Sequence, residues 1–461
     1  MLDISINELI NISGGTVING DLLKYGDRHI HNVTFDSRDT GSDRAFVPMK
    51  GNRVDSHRFI PQVLDGDTII SFSEYDDVCC SGDKIIVKVK NSFDAVERIA
   101  DFYRKTIDIP FVGITGSVGK TTTREMICTA LGSSMSVYAT NGNRNSQVGT
   151  PQVLFDFNDN ADIAVMEMGV SMPGEMCKLA DMVKPDAAVF TNIGITHIEN
   201  LGSREGILNE KMHITDYMKT GSPVFVNGDN DLLRECILPD GLIKYTYGLD
   251  ESCDAYAFDI TINKGLPEFC ANVRGNVVRV NLSVYGRHSI YNALVALLLC
   301  DYLGLDITKA SEALSKYKGF LHRGQILTRN DITIIDDTYN AAPDSMKAAI
   351  DILCSIECRG RKIAVLADMK ELGDNSVSEH YSVGKYAGDK KDIDLLITYG
   401  ELADDIGRGF GNGESVHTDK YEELESIVYS TLKPGDVILF KGSNSMKLFD
   451  LVDRVMEHDF A

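Results

Sequence analysis

The stretch Phe111-Val-Gly-Ile-Thr-Gly-Ser-Val-Gly-Lys-Thr-Thr-Thr123 constrains this chain more than any other. Phe111 to Thr115 read as a short buried strand, Gly116 to Gly119 as a tight turn, and Lys120-Thr121-Thr122 as the start of a helix with Met126, Ile127, Ala130 and Leu131 on its apolar face. A strand, a glycine turn and a helix start make an anion cradle. Backbone N–H groups converge there, the helix dipole favours negative charge, and the lysine adds a mobile cation. Thr121 sits where a hydroxyl holds the Mg²⁺ that accompanies nucleotide phosphates. Ile114 stands at the first glycine of the common G-x-x-x-x-G-K-[ST] spacing, which leaves the shorter T-G-x-x-G-K-T form. A glycine turn without a phosphate role is the bland alternative, and the strand-to-helix context outweighs it. We read Thr115, Gly116, Ser117, Val118, Gly119, Lys120, Thr121 and Thr122 as an ATP-binding loop.

With 461 residues, two or three domains are expected, each large enough for its own core. A net charge of −22 argues against nucleic acid as a partner, because sequence-independent binding needs basic surface to displace counterions. Anionic ligands must then be held by local clusters of positive groups. No apolar run approaches membrane-spanning length, so membrane insertion is not expected. The N-terminus, Met1-Leu-Asp-Ile-Ser-Ile-Asn-Glu, lacks a signal peptide's basic start and apolar core. The ten cysteines are scattered, without Cys-x-x-Cys pairs, as in a reduced cytoplasmic protein. Only Cys79-Cys80 are adjacent, and Cys354 and Cys358 are spaced as helix neighbours filling a core.

Along the chain, residues 1–88 form a first unit, with Asp36-Ser37-Arg38 after a strand. That triplet reads equally well as a turn or as a ligand site for a diphosphate or a uracil-type ring edge. Residues 89–318 form a central unit. Its further strands end in polar residues: Ile163 to Met166 runs into Glu167, Ala187 to Thr191 into Asn192 and then His197, and Pro223 to Val226 into Asn227. Ligands of open parallel sheets bind beyond the carboxyl ends of the strands, so Glu167 and His197 belong on the rim that carries the phosphate loop, with a metal role. Residues 204–218 read as a helix, residues 252–285 as an antiparallel patch, and Ser289 onward as an apolar helix ending near Gly304. Residues 319–461 alternate strands and helices, which predicts a second doubly wound α/β unit.

Taken in order, these motifs resemble the Mur ligase family, the ATP-dependent amide-bond ligases of bacterial cell-wall synthesis. The resemblance covers nearly the whole chain. It rests on Asp36-Ser37-Arg38, the phosphate loop, Asn143-Arg-Asn145 to Pro151, Glu167-Met-Gly169, Thr191 to Glu199, Glu210-Lys211, Gly286-Arg-His288 to Asn292, and Asp336-Asp337-Thr-Tyr339-Asn340. Tyr339-Asn-Ala-Ala-Pro-Asp-Ser-Met346 and Asp368-Met-Lys-Glu-Leu-Gly373 favour the member that adds D-alanyl-D-alanine to a UDP-N-acetylmuramoyl tripeptide. No Asp-Asn-Pro-Arg string of the diaminopimelate- or lysine-adding member is present.

The resemblance implies three α/β domains: an N-terminal UDP-binding domain, a central P-loop ATPase with a mostly parallel sheet, and a C-terminal Rossmann-like doubly wound domain. It implies ATP and two Mg²⁺ as cofactors, with Lys120, His197 and Lys211 as catalytic residues. Thr121 and Glu167 would hold one ion, and His197 and a carbamylated Lys211 the other. His288, Asn292, Arg323 and Asp337 would contact the nucleotide, Ser37, Arg38 and Asn145 the UDP substrate, and Tyr339 and Asn340 the acceptor. Ser56, Ser146, Ala342 and Asn444 depart from the family's usual residues. The expected protein is a cytoplasmic monomer. A paralogous Mur-type ligase joining another amine or carboxylate is the alternative. A regulatory P-loop module would not need Glu167, His197 and Lys211, and a folate-type ligase would lack the Asp36-Ser37-Arg38 unit.

Overall fold

The computed structural model describes residues 2–51, 54–78, 82–157 and 160–460, so Cys79 and Cys80 lie outside the described residues. Three large sheets follow one another along the chain, with a two-stranded ribbon of Ile4–Ser5 and His29–Ile30 at the start.

The first large sheet has five strands in the order Thr16–Asn19, Ile85–Lys88, Ile70–Ser73, Arg44–Phe46 and Asn32–Thr34. All its pairings are parallel except that of the first strand. Its apolar side continues into the central unit through the helix Ser92–Arg104, whose Ala95, Val96, Ile99 and Ala100 are buried in the same cluster as Phe72 and Met166.

The central sheet has nine strands, ordered Asn276–Asn281, Leu266–Val273, Ala255–Asn263, Ile243–Gly248, Pro223–Asn227, Ala187–Phe190, Phe111–Thr115, Ile163–Glu167 and Val137–Ala139. The Phe111–Thr115 strand is parallel to both its neighbours. Its residues alternate between two cores: Phe111 joins one with Ala164 and Phe190, while Val112 and Ile114 join another with Val165 and Val189. Strands covered on both faces read as continuous apolar runs, which is why period-two patterning is missing from their sequence. The antiparallel patch is not a separate layer. Ala255–Asn263 pairs in parallel with Ile243–Gly248 and antiparallel with Leu266–Val273, so the patch extends the central sheet at its edge.

The third sheet has six strands in the order Gln325–Arg329, Ile332–Asp337, Val437–Lys441, Lys362–Ala367, Leu395–Tyr399 and Ser415–Thr418. Only the edge strand Gln325–Arg329 is antiparallel. Two cores again take alternate residues, Leu439 with Leu366 on one side and Phe440 with Val365 on the other. This is the doubly wound arrangement expected for the end of the chain.

Two local expectations are corrected. The helix predicted over 204–218 spans Arg204–Met212 and ends in the 3₁₀ turn His213–Thr215. There the Thr215 hydroxyl donates to the Met212 carbonyl and the His213 ring reaches Asp216, local bonds that compete with further helix. Cys354 and Cys358 are not helix neighbours. The helix Pro343–Ser355 stops at an extended Ile356, and Cys358 lies beyond it with Sγ against the Gly360 carbonyl. Both cysteines still pack partly buried against one core. Among the described residues no helix is long and apolar enough to cross a membrane.

Candidate active site

Strand Phe111–Thr115 delivers the loop 116–119 to the start of helix Lys120–Leu131. Met126, Ile127, Ala130 and Leu131 bury the face that the sequence assigned to the core. Gly116 has φ +148°, and a Cβ there would lie 1.9 Å from Thr191 Oγ1. The loop therefore packs directly on the end of the neighbouring strand Ala187–Phe190. Ser117 N–H donates to the Asn192 carbonyl and Val118 N–H to Asn192 Oδ1, each at 2.9 Å, while Thr191 Oγ1 donates to the Val118 carbonyl. Gly119, with φ +83°, forms the N-terminal boundary of the helix. Lys120 Nζ folds back to the Gly116 carbonyl at 2.7 Å. Burial pushes the Lys120 amine down from its ordinary value, and the Glu167 carboxylate opposes that push.

Glu167 ends its strand 2% exposed, with every side-chain oxygen occupied. Thr121 Oγ1 donates to Oε2 at 2.9 Å, Asn145 Nδ2 donates to Oε1 at 2.6 Å, and the buried Arg124 guanidinium lies 3.4 Å from Oε2. A hydroxyl and a carboxylate side by side at a phosphate loop suit Mg²⁺. That ion takes hard oxygen ligands and completes its shell with phosphate oxygens and water rather than with a protein cage. Among the described residues, no three of His, Cys, Asp and Glu gather in a group able to hold a metal ion.

His197 follows the next strand with φ +64°, and its Nδ1 lies 2.7 Å from Glu371 Oε2 of the third unit. Lys211, on helix Arg204–Met212, is 1% exposed, and its Nζ has no hydrogen-bond partner. Burial first, and then the charge of Lys120, hold its amine well below an ordinary lysine. An amine shifted towards its uncharged form is a nucleophile, and a carbamate formed on it would present oxygens where an ammonium cannot bind a cation.

The third unit closes the site. A cavity of about 570 Å³ is lined from the central unit by the phosphate loop with Thr121, Thr122, Asn145, Glu167 and His197, and by His288 and Asn292. From the third unit it is lined by Arg323, Asp337, Tyr339, Asn340 and Lys441. Asn292 Oδ1 accepts from Thr123 at 2.9 Å, which ties the apolar helix Ser289–Tyr302 to the phosphate-loop helix. Burial depresses the His288 imidazole, with Asp337 opposing. The Arg323 guanidinium lies 3.8 Å from the centre of the Tyr339 ring. Lys441 Nζ reaches Asp337 Oδ2 at 2.5 Å and the Asn340 carbonyl at 3.1 Å.

The sequence-assigned residues do not all meet there. Lys211 lies behind the cavity wall rather than on it, close enough for its amine to respond to the charge of Lys120. Asn145, grouped with the UDP contacts in the sequence, is placed on Glu167. Arg38 is 88% exposed and its guanidinium is engaged by Asp36, which holds that carboxyl at about 2. Neither Ser37 nor Arg38 lines this cavity. Arg124, Glu371 and Lys441 had no assignment. Arg124 had a signal, since it lies one helical turn after Lys120 and so shares its face. Lys441 had a weaker one, as a cation closing an otherwise apolar strand.

A phosphate loop on a central, mostly parallel sheet, roofed by a second doubly wound unit, defines a nucleotide-dependent α/β protein whose site is shared between two units. The chain belongs to the Mur ligase family. A model of the Mur ligase middle domain matches residues 114–300, and a model of the Mur ligase glutamate ligase domain matches residues 322–444. The UDP-N-acetylmuramoyl-tripeptide–D-alanyl-D-alanine ligase of Bacillus subtilis is 32% identical over 99% of both chains. The ligase of the same name from Synechocystis is 32% identical over 93% of both. Among solved structures, MurF of Acinetobacter baumannii superposes with a TM-score of 0.89 at 26% identity over 99% of both chains. MurF of Thermotoga maritima, solved with ADP, has a TM-score of 0.81 at 27% identity, covering 92% of this chain and 97% of its own.

Proposed function

We propose that this chain is an ADP-forming peptide ligase that uses ATP to join D-alanyl-D-alanine to a UDP-N-acetylmuramoyl tripeptide in peptidoglycan precursor synthesis. The observation that carries the reading is the shared cavity, where Lys120, Thr121 and Glu167 of the central unit face Arg323, Asp337 and Lys441 of the third. Full-length similarity to ligases of that name supports the substrate pair.

The reaction activates a carboxylate. A substrate carboxylate oxygen attacks the γ-phosphorus of ATP, ADP leaves, and the amine of the dipeptide then displaces phosphate from the acyl carbon. Both steps gather negative charge, so fixed cations and donors are the main requirement. Lys120 and the loop from Thr115 to Thr122 hold the phosphates. Arg323 brings a second cation from the third unit, with its guanidinium held by the Tyr339 ring. His288 and Asn292 flank the nucleotide, and burial holds the His288 imidazole towards its uncharged form. Tyr339 and Asn340 lie at the acceptor side, and Ser37, Arg38 and Asn145 serve the UDP substrate. Thr121 and Glu167 would hold one Mg²⁺, and His197 with a carbamylated Lys211 a second. Bound there, the ions would supply charge neutralisation where negative charge gathers. We further assign residues 1–88 to the UDP-sugar unit, 89–318 to the ATPase and 319–461 to the closing unit, in a cytoplasmic monomer.

Phosphate release measured with UDP-N-acetylmuramoyl tripeptide, with and without D-alanyl-D-alanine, tests the reading. Release is expected to depend on the dipeptide, with a product whose mass is the sum of both substrates less water. Release indifferent to the dipeptide would refute it.

A further inference from the structure

Glu371 comes from the third unit yet sits on a residue of the central one. It lies in the loop after strand Lys362–Ala367, and its carboxylate stands 2.7 Å from His197 Nδ1, an ion-pair contact short of hydrogen-bond alignment that leaves the buried Nδ1 without another partner. Both partners are non-glycine residues in the left-handed region, His197 with φ +64° and Glu371 with φ +66°. Left-handed backbone is disfavoured for such residues and persists where the surroundings over-determine it.

The surroundings of Glu371 do so. Asp368 at the start of its loop is 1% exposed, and its carboxylate accepts the Leu402 and Ala403 N–H groups at 3.0 and 2.8 Å. The Met369 N–H donates to Nε2 of the fully buried His380 at 2.9 Å, and the Lys370 N–H donates to Ser443 Oγ at 2.9 Å. At the far end, Gly373 packs so closely on the helix after His197 that a Cβ there would stand 3.2 Å from the Cβ of Glu199. Every residue before Glu371 is thus pinned, and the loop is seated against the element that carries His197.

A histidine that binds metal through one ring nitrogen commonly gives its other N–H to a carboxylate, which fixes tautomer and ring orientation and raises the basicity of the ligand. We propose that Glu371 is a positioning residue that holds the His197 ring by Nδ1, so that Nε2 serves the metal position and that position is complete only with the third unit closed on the central one. The inference rests on the ligase reading with a divalent ion at His197. It adds a link between domain closure and metal affinity. The third unit brings residues to the nucleotide, and it also supplies the group that orients a ligand on the opposite wall.

The test uses the full-length chain with saturating ADP and Mn²⁺ as the probe, with bound and free ion distinguished by electron paramagnetic resonance. His197→Ala is expected to remove one class of bound Mn²⁺. Glu371→Gln is expected to weaken that same class about 10- to 100-fold, with an unchanged melting temperature. Glu371→Asp, which keeps the charge but withdraws it by one methylene, is expected to fall between. In ligation assays the Glu371→Gln defect should appear as a raised Mg²⁺ half-saturation with kcat largely restored at high Mg²⁺. A loss of fold would lower kcat at every concentration instead. If His197→Ala weakens Mn²⁺ binding while Glu371→Gln and Glu371→Asp stay within twofold of the parent, the inference fails and the metal reading stands. If His197→Ala itself binds Mn²⁺ like the parent, both fail.

Discussion

Asp337 and Lys441 are register partners in the parallel pairing of Ile332–Asp337 with Val437–Lys441, and their side chains meet at 2.5 Å at the cavity edge. The Lys441 side chain is 2% exposed and that of Asp337 22% exposed. Removing one member of such a pair leaves the other charge poorly solvated. We expect Lys441→Met to destabilise the protein by about 3 kcal/mol, at the low end of the range for broken buried pairs because Asp337 keeps some solvent. Lys441→Met combined with Asp337→Leu should recover part of the loss. A thermal or urea unfolding series on the two singles and the double measures the coupling. Losses that simply add would show that the pair does not act as one.

The loop that carries Glu371 predicts a pH effect. His380 Nε2 accepts the Met369 N–H, and its Nδ1 faces the Ser376 carbonyl, so the ring is needed neutral. Burial depresses its pKa below the usual value, against opposing contributions from the Ser376 carbonyl, Asp368 and Asp405. With the folded pKa below the unfolded one, the unfolded chain takes up the proton first. Stability from this group is therefore full above about pH 6.5 and is lost as pH falls towards the folded pKa. Melting temperatures between pH 8 and pH 5 should fall on the acid side, and His380→Gln should flatten that fall. Some acid slope should remain in the variant, since burial depresses His288 in the same way.

The phosphate loop was legible because its chemistry is local: strand, glycine turn, lysine and threonine are contiguous, and one stretch of backbone makes the cradle. The central sheet and the doubly wound third unit were legible through apolar strands that finish in polar residues such as Glu167, Asn192 and Asp337. Glu371 was not, because its meaning is a partner on another unit and no spacing in sequence encodes that approach. The contact of Asn145 with Glu167 was hidden for a related reason. An asparagine-rich loop announces ligand chemistry, but only the fold says that the amide lands on Glu167. Cys354 and Cys358 show the opposite failure, where helical spacing was read through a helix end that extended backbone at Ile356 imposes.

Two glycines of the loop should behave differently. Gly119 has φ +83°, and no atom lies within 4 Å of the place a Cβ would take, so Gly119→Ala costs only backbone strain, about 1 kcal/mol. At Gly116 the same methyl would collide with Thr191 Oγ1 at 1.9 Å, and that hydroxyl holds the Val118 carbonyl. Gly116→Ala must therefore displace the strand end that shapes the loop. Calorimetric titration with ADP should show a clearly larger affinity loss for Gly116→Ala than for Gly119→Ala. Equal losses would mean that Thr191 does not shape the cradle.

Lys211 sets stability against function. Its Nζ is buried without a partner, and the adjacent Glu210 cannot serve it. Both Glu210 oxygens are taken, Oε2 by the Gly174 N–H and Oε1 by the Met176 N–H, each at 2.8 Å. An unsatisfied buried polar group costs about 1–3 kcal/mol, and the charge of Lys120 makes a second ammonium there worse still. Lys211→Met keeps the length of the side chain and removes the amine, so in bicarbonate-free buffer it should raise the unfolding free energy by about 1–3 kcal/mol. The same variant should reduce dipeptide-dependent phosphate release to background, because it has no nitrogen on which a carbamate can form. In the parent, [¹³C]bicarbonate should give a carbamate carbon resonance that Lys211→Met lacks. A variant that is more stable and fully active would show that the amine is a packing defect without a role in ligation. One that is less stable would mean that the buried nitrogen has a structural partner.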